Sequence, residues 1–269
     1  MRSAASRTIR ALPTLLRVGV AETVAYRAEF IVWILTTTQP LIMMSLWTSV
    51  AADGAYEGYT PNKFVAYYLA TLLVRQLTGN WVAWQMMEEI RLGTMAMRLL
   101  RPIHPFVTYT VSHLAALPFR SVVALPLVGI LLVTSSGDSI THHPLQLAVM
   151  PLSIAMAWLI TFAILFAIGS LAFFMTQTMA ISTVYFGLFS LFSGYLLPLD
   201  LLPAPIAHVA AWLPFRFTLS VPVELLTHDL DHAQVAHVLG SQAVWTVVLV
   251  AFALWLWRAG VRRFESVGG

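Results

Sequence analysis

His228, Asp229, Asp231, His232 and His237 have the residue types and close spacing of a metal site. His228 and His232 are four apart, so on a helix they would share a face, as zinc-binding histidines do. The HExxH order of a hydrolytic zinc site is missing, and Pro222 and the acidic surroundings read as a solvated loop, so no metal is expected. His142 and His143 read as a polar loop as well. Serine chemistry would need a string such as G-x-S-G with a histidine facing it. Leu191-Phe192-Ser193-Gly194 comes nearest, but Leu191 replaces the first glycine and the histidines fall away from the centres of the apolar segments. Ser193 and Gly194 therefore read as small packing residues. No Asp or Glu falls inside an apolar segment, which removes carboxylate acid–base work and counts against a proton-coupled carrier. No catalytic residue is expected.

Two absences narrow the field further. There is no cysteine, which excludes disulfides, thiol catalysis and Cys-ligated metal. Lys63, the only lysine, stands in Pro61-Asn62-Lys63-Phe64, so the Gly-Lys-Ser/Thr of a phosphate-binding P-loop cannot be built. No cofactor is expected in this chain, and if ATP drives it, another subunit binds the ATP.

Charge is concentrated in two places of interest. Glu88 to Arg101, followed by Pro102 and Pro105, sets Glu88, Glu89, Arg91, Arg98 and Arg101 among Ile90, Leu92, Met95, Leu99 and Leu100 at roughly helical spacing. Gly93 weakens the middle of this amphipathic helix and the prolines end it. Such a segment lies on a membrane surface, docks on a soluble partner, or is an ordinary solvated loop. Arg75, with Gln76 beside it, sits near the middle of an apolar run. A mid-membrane arginine facing lipid costs at least about 2.5 kcal/mol, so Arg75 is expected to face protein or water. It marks a translocation path or subunit interface, or it is a structural arginine bonded to carbonyls and to Gln76, Thr78 or Asn80.

The elements that must carry these residues are membrane spans. The chain of 269 residues is 59% hydrophobic and 10% charged, with a mean hydropathy of +0.79, against about 25% charged in a soluble domain. A net charge of +3 is too small to argue for nucleic acid. The fold class is all-α, a single transmembrane domain over 1–269 with six spans, beginning with a basic amphipathic helix over 1–28. Spans are expected at about Phe30–Ala52, kinked at Pro40 after Thr36, Thr37 and Thr38, then at Phe64–Trp84 and at Leu117–Val133. The fourth, Leu147–Phe174, is long enough to be tilted or broken, the fifth is Met179–Leu197, and the last is Val244–Trp257, extending back to Leu239. Ala163, Ala167, Gly187 and Gly194 offer small faces for close packing. Prolines at 198, 203, 205, 214 and 222 cut 198–240 into short outer re-entrant or interfacial pieces. Eleven of the fifteen Lys and Arg fall in the N-terminal segment, in Glu88–Arg101 and at the C-terminus, which places those three regions in the cytoplasm. No cleaved signal peptide is expected, because the N-terminus lacks an apolar core with a small-residue cleavage site.

Read in order, these strings resemble a known family. Ala25-Tyr26-Arg27-Ala28-Glu29-Phe30 enters the first span, and Leu73-Val74-Arg75-Gln76-Leu77-Thr78 with Trp81 and Trp84 ends the second. Glu88-Glu89-Ile90-Arg91-Leu92-Gly93 and Leu99-Leu100-Arg101-Pro102-Ile103-His104-Pro105 follow. Together they resemble the type-2 ABC transporter permeases, in the subgroup whose short six-span subunits pair with a separate ATPase. The resemblance implies an interfacial N-terminal helix, a cytoplasmic coupling helix within 88–105 and outer re-entrant helices before the last span. It implies that Glu88, Glu89, Arg91, Arg98 and Arg101 contact an ABC ATPase, present in two copies, which binds ATP and Mg. It implies further a second permease, identical or homologous, a bacterial cytoplasmic membrane with both termini inside, and export of a hydrophobic or amphiphilic cargo such as a drug, lipid or glycan. The competing classes are a secondary carrier or channel, and an intramembrane enzyme or scaffold.

Overall fold

The computed structural model describes residues 4–25, 39–133, 139–175 and 177–264, and those residues are helical apart from short 3-10 turns and connections. Helix α1 spans Ala4–Ala25, α2 Gln39–Val50, α3 Pro61–Thr78, α4 Val82–Arg91 and α5 Met95–Leu99. They are followed by α6 Pro105–Ala115, α7 Leu117–Val133, α8 Pro144–Ser170 and α9 Thr178–Phe192. Then come α10 Ala204–Trp212, α11 Ser220–Thr227 and α12 His232–Val261.

Among the described residues, two helical runs are both long and apolar enough to cross a membrane. Pro144–Phe173 and His232–Val261, 30 residues each, contain 18-residue stretches with mean hydropathies of 2.3 and 1.9. At 1.5 Å per residue each exceeds the roughly 30 Å of bilayer hydrocarbon. The first is the centre of the fold. Its buried Trp158, Phe162 and Phe166 stack in sequence, and Phe106 and Tyr109 of α6 meet them edge-on. Edge-to-face rings add to the apolar area they bury. Gly169 near its end brings α4 so close that a Cβ there would lie 2.9 Å from the Met86 Cβ. Gly19 does the same for α1 and α6, at 2.8 Å from the Ala115 Cβ.

The second apolar run departs from the expected single span over Phe64–Trp84. It breaks at Gly79, Asn80 and Trp81, between α3 and α4. Gly79 turns to extended backbone, and its N–H closes the last turn of α3 on the Arg75 carbonyl. The freed Gly79 carbonyl accepts from Nη1 of Arg120, a fully buried residue of α7, whose guanidinium also lies 5.0 Å from the Trp81 ring centroid. A cation at a helix C-terminus meets the negative end of the helix dipole, so the break is supported from across the fold.

Other boundaries also move. Leu117–Val133 keeps its expected bounds, but the interruption expected at Pro118 and Pro126 is not seen: α7 runs unbroken through Pro126, as α8 does through Pro151. The fifth element stops at Phe192 instead of Leu197, because Gly194 takes φ +85, where the chain turns. Tyr67 and Tyr68 of α3 pin that turn by donating to the carbonyls of Gly194 and Leu196, both at 2.8 Å. Gly187 meets nothing within 4 Å inside the chain, so only Gly194 of that pair is needed for close approach. The outer stretch is cut into Leu199–Leu201, α10, Arg216–Thr218 and α11, but it ends before residue 240. Asp231 and Gln234 form a capping box that starts α12 at His232. His228 closes α11 and His232 opens α12, so the two histidines do not share a helix. The expected Pro40 kink with Thr36–Thr38, and residues 1–3 and 26–28 of the N-terminal segment, lie outside the described residues.

Candidate functional site

The charged stretch after α4 folds as an elbow, not as one helix. Gly93 adopts φ +75, a left-handed conformation that a β-carbon disfavours, and separates α4 from the short α5. The turn sends neighbouring apolar residues opposite ways. Ile90 and Met95 are buried in the core, whereas Leu92, Met97 and Leu100 are 62%, 68% and 80% exposed. His104 then caps α6, its Nδ1 accepting from the Phe106 N–H at 3.1 Å.

A polar clamp closes the elbow. Arg98 donates to both Glu89 oxygens, Nε to Oε2 at 2.7 Å and Nη2 to Oε1 at 2.6 Å. Tyr109 donates to the same Oε2 at 2.6 Å, and its ring centroid is 4.1 Å from the Arg98 guanidinium. Nη1 of Arg98 reaches Oγ1 of Thr108 at 3.3 Å. The pair's side chains are only 19% and 18% exposed. A bidentate, largely desolvated pair of this kind is strong and geometrically specific.

The five charged residues expected to face a partner therefore divide. Glu89 and Arg98 are engaged with each other and hold the elbow to α6. Glu88 and Arg91 lie 3.8 Å apart in solvent, and Arg101 is exposed near Leu100. Leu92, Met97 and Leu100 join these three at the tip, an apolar patch rimmed by charge. Leu92 and Leu100 point away from Ile90 and Met95 because two and five residues turn a helix to another side, and Gly93 brings the outward residues of its two flanks to one tip. Arg75 and Gln76 stand on α3, beyond the Gly79–Trp81 break from the elbow. Gln76 is buried, and the Arg75 guanidinium lies 5.2 Å from the Phe189 centroid and within hydrogen-bonding reach of Tyr195.

A second polar cluster sits at the opposite end of α8. The Tyr59 hydroxyl donates to Asp200 Oδ2 at 3.1 Å, and His228 Nε2 lies 3.3 Å from both that oxygen and the Tyr59 hydroxyl. The hydrogen bond from His228 holds the Asp200 carboxyl below the usual carboxylate range. Nearby, Arg216 pairs with Glu224 at 2.7 Å, and Ser220 donates to the same carboxylate. Among the described residues no three metal-ligating side chains gather. His228 ties Tyr59 to Asp200, and its Nδ1 lies 3.0 Å from the Thr227 hydroxyl.

Residues 33–268 match the sequence model described as ABC-2 family transporter protein. No curated protein matches the chain. The match covers nearly all of the apolar elements and both polar clusters, and the chain belongs to the ABC-2 transporter family, as a membrane permease component of an ABC transporter.

Proposed function

We propose that the chain is the six-span permease of an exporter, driven by a separate ATPase that docks on the elbow tip. The spans are the apolar run Phe30–Ala52, α3 with α4, α7, α8, α9 and α12, in a bacterial cytoplasmic membrane with both termini inside. Two such subunits, identical or homologous, and two ATPase copies form the pore. Leu92, Met97 and Leu100 enter an apolar cleft of the ATPase, and Glu88, Arg91 and Arg101 set register at its rim. ATP and Mg stay on the partner. Closure of the ATPase pair pushes the tip, and the Glu89–Arg98–Tyr109 clamp passes the displacement into α4 and α6 as a rigid body. The cargo is hydrophobic or amphiphilic.

The observation that carries this reading is an exposed apolar tip mounted on a clamped elbow. The test is the double variant Met97→Asp with Leu100→Asp, made in the complex. It is expected to weaken ATPase co-purification by at least about tenfold while membrane insertion stays normal. Wild-type recovery of the ATPase with wild-type transport would overturn the docking surface.

A further inference from the structure

The apolar elements contain arginine and no acid. From Phe30 to Ala52, Phe64 to Met87, Pro105 to Val133, Pro144 to Leu199 and Ala233 to Trp257, the chain holds Arg75 and Arg120 but neither Asp nor Glu. In a low-dielectric interior such an imbalance is costly unless something negative balances it.

The two arginines are used differently. Arg120 supports the helix break through the Gly79 carbonyl and Trp81. Arg75 is half-buried and meets two neutral partners, the Phe189 ring and the Tyr195 hydroxyl. No carboxylate among the described residues lies within ion-pair distance of it. Arg120, the other arginine of these elements, adds a second positive charge and no negative one. In the adjacent break, Asn80 is buried with neither amide atom bonded, an arrangement that costs free energy in an empty protein. A second copy of the chain has no carboxylate in its own apolar elements to offer. A small anionic amphiphile in the membrane is a negative charge that can reach such a position.

We propose that the half-buried Arg75 receives the anionic head group of an amphiphile, cargo or resident lipid, whose apolar part stays in the surrounding hydrocarbon. This rests on the permease reading above, and it narrows the transported class to anionic amphiphiles if the site is a cargo site. Cationic amphiphiles are disfavoured by the same field.

The experiment needs no ATPase. The full-length chain is placed in nanodiscs of neutral phosphatidylcholine, and binding of radiolabelled dodecyl phosphate is compared with that of dodecyltrimethylammonium. The expected result is saturable binding of dodecyl phosphate, at least about tenfold tighter than the cation. Arg75→Gln should abolish that preference, and Arg75→Lys should keep most of it. Equal affinity for the two amphiphiles, or a preference that survives Arg75→Gln, overturns the proposal. If Arg75→Gln does not fold, the wild-type comparison of anion with cation decides alone. Nanodiscs doped with phosphatidylglycerol separate the sources: displacement of dodecyl phosphate assigns the anion to resident lipid, and undiminished binding assigns it to cargo. Because the elbow plays no part in this measurement, its failure leaves ATPase docking untouched, and failed docking leaves it untouched.

Discussion

At the elbow, Glu89 grips Arg98 nine residues along the chain and Tyr109 twenty along. At the other end of α8, Tyr59 meets Asp200 and His228 across separations of 141 and 169 residues. Tyr67 and Tyr68 reach Gly194 and Leu196 across 127 and 128. Closing a short loop loses less chain entropy than closing a long one, so the elbow can form as a local unit. The far end exists only once α3, α9 and α11 have come together. The two ends differ in strength as well as in range. The elbow pair is bidentate and mostly desolvated, whereas the Asp200 side chain is 60% exposed and its link to His228 is screened by water. A stiff end beside a yielding one is what the proposed push requires: displacement enters where the structure cannot bend and is released where contacts are weaker.

The largest effect should come from breaking the elbow clamp. Arg98→Met leaves the Glu89 carboxylate mostly buried with Tyr109 as its remaining donor. Stranding a buried charge costs about 3 kcal/mol. Thermal unfolding in detergent should show a clear drop in Tm, and Glu89→Gln in the same chain should restore part of it, because the stranded charge is then removed. At the far end, His228→Ala should move Tm far less. Equal drops at both ends would erase the difference between them. Reversing Arg98 to Glu together with Arg101 would therefore disturb the fold as well as any docking. The exposed tip residues give the cleaner test of coupling.

The sequence shows one of these ends better than the other, for physical reasons. Composition and apolar run length survive any packing, so α7 starts and stops where its apolar run does, and the family resemblance rests on strings that the fold leaves in order. The elbow was visible as a charged stretch, but its inward and outward faces were not. Leu92 stands two residues from Ile90 and Leu100 five from Met95, so each pair points to different sides of its own helix, and the left-handed turn at Gly93 re-aims the second helix against the first. The break at Gly79 was hidden because its support, Arg120, lies 41 residues on. The Tyr59–Asp200–His228 cluster is not legible locally, since Tyr59 and Asp200 stand alone in their segments and the sequence groups His228 with Asp229, Asp231 and His232 instead.

A smaller effect tests the far end through its backbone. Gly194 has φ +85, and a Cβ there would lie 2.5 Å from the Tyr67 hydroxyl. Gly194→Ala should therefore cost roughly 2 kcal/mol, from left-handed strain and the displaced Tyr67 hydrogen bond. Gly187→Ala, with nothing within 4 Å of its new Cβ, should instead gain about 0.5–1 kcal/mol from helix propensity. Opposite shifts in Tm from two glycines in neighbouring turns would confine the constraint to the tyrosine-pinned turn. Equal shifts would mean that the turn is no tighter than the helix before it.

The smallest effect separates the two ends by pH. His104 caps α6 as an acceptor, and it is held below the ordinary histidine value by burial first and by Arg258 second. A protonated imidazole cannot accept the Phe106 N–H, so the fold favours the neutral ring. The unfolded chain takes up its proton near pH 6.5, before the folded chain does, so stability falls as pH drops from there through the lower folded value. Asp200 is also held below its ordinary value, by His228 first, but its contribution is lost only at more acid pH, through the carboxylate range and below. Acid should therefore loosen the elbow cap before it reaches the Asp200 link. A neutral acceptor at the cap removes the first step: His104→Asn keeps most of a cap worth about 1 kcal/mol but does not titrate. Wild-type Tm should decline relative to His104→Asn as pH falls from 6.5 through the lower folded value, and the two curves should run parallel below that. Curves that stay parallel across the whole range would mean that protonation does not remove the cap.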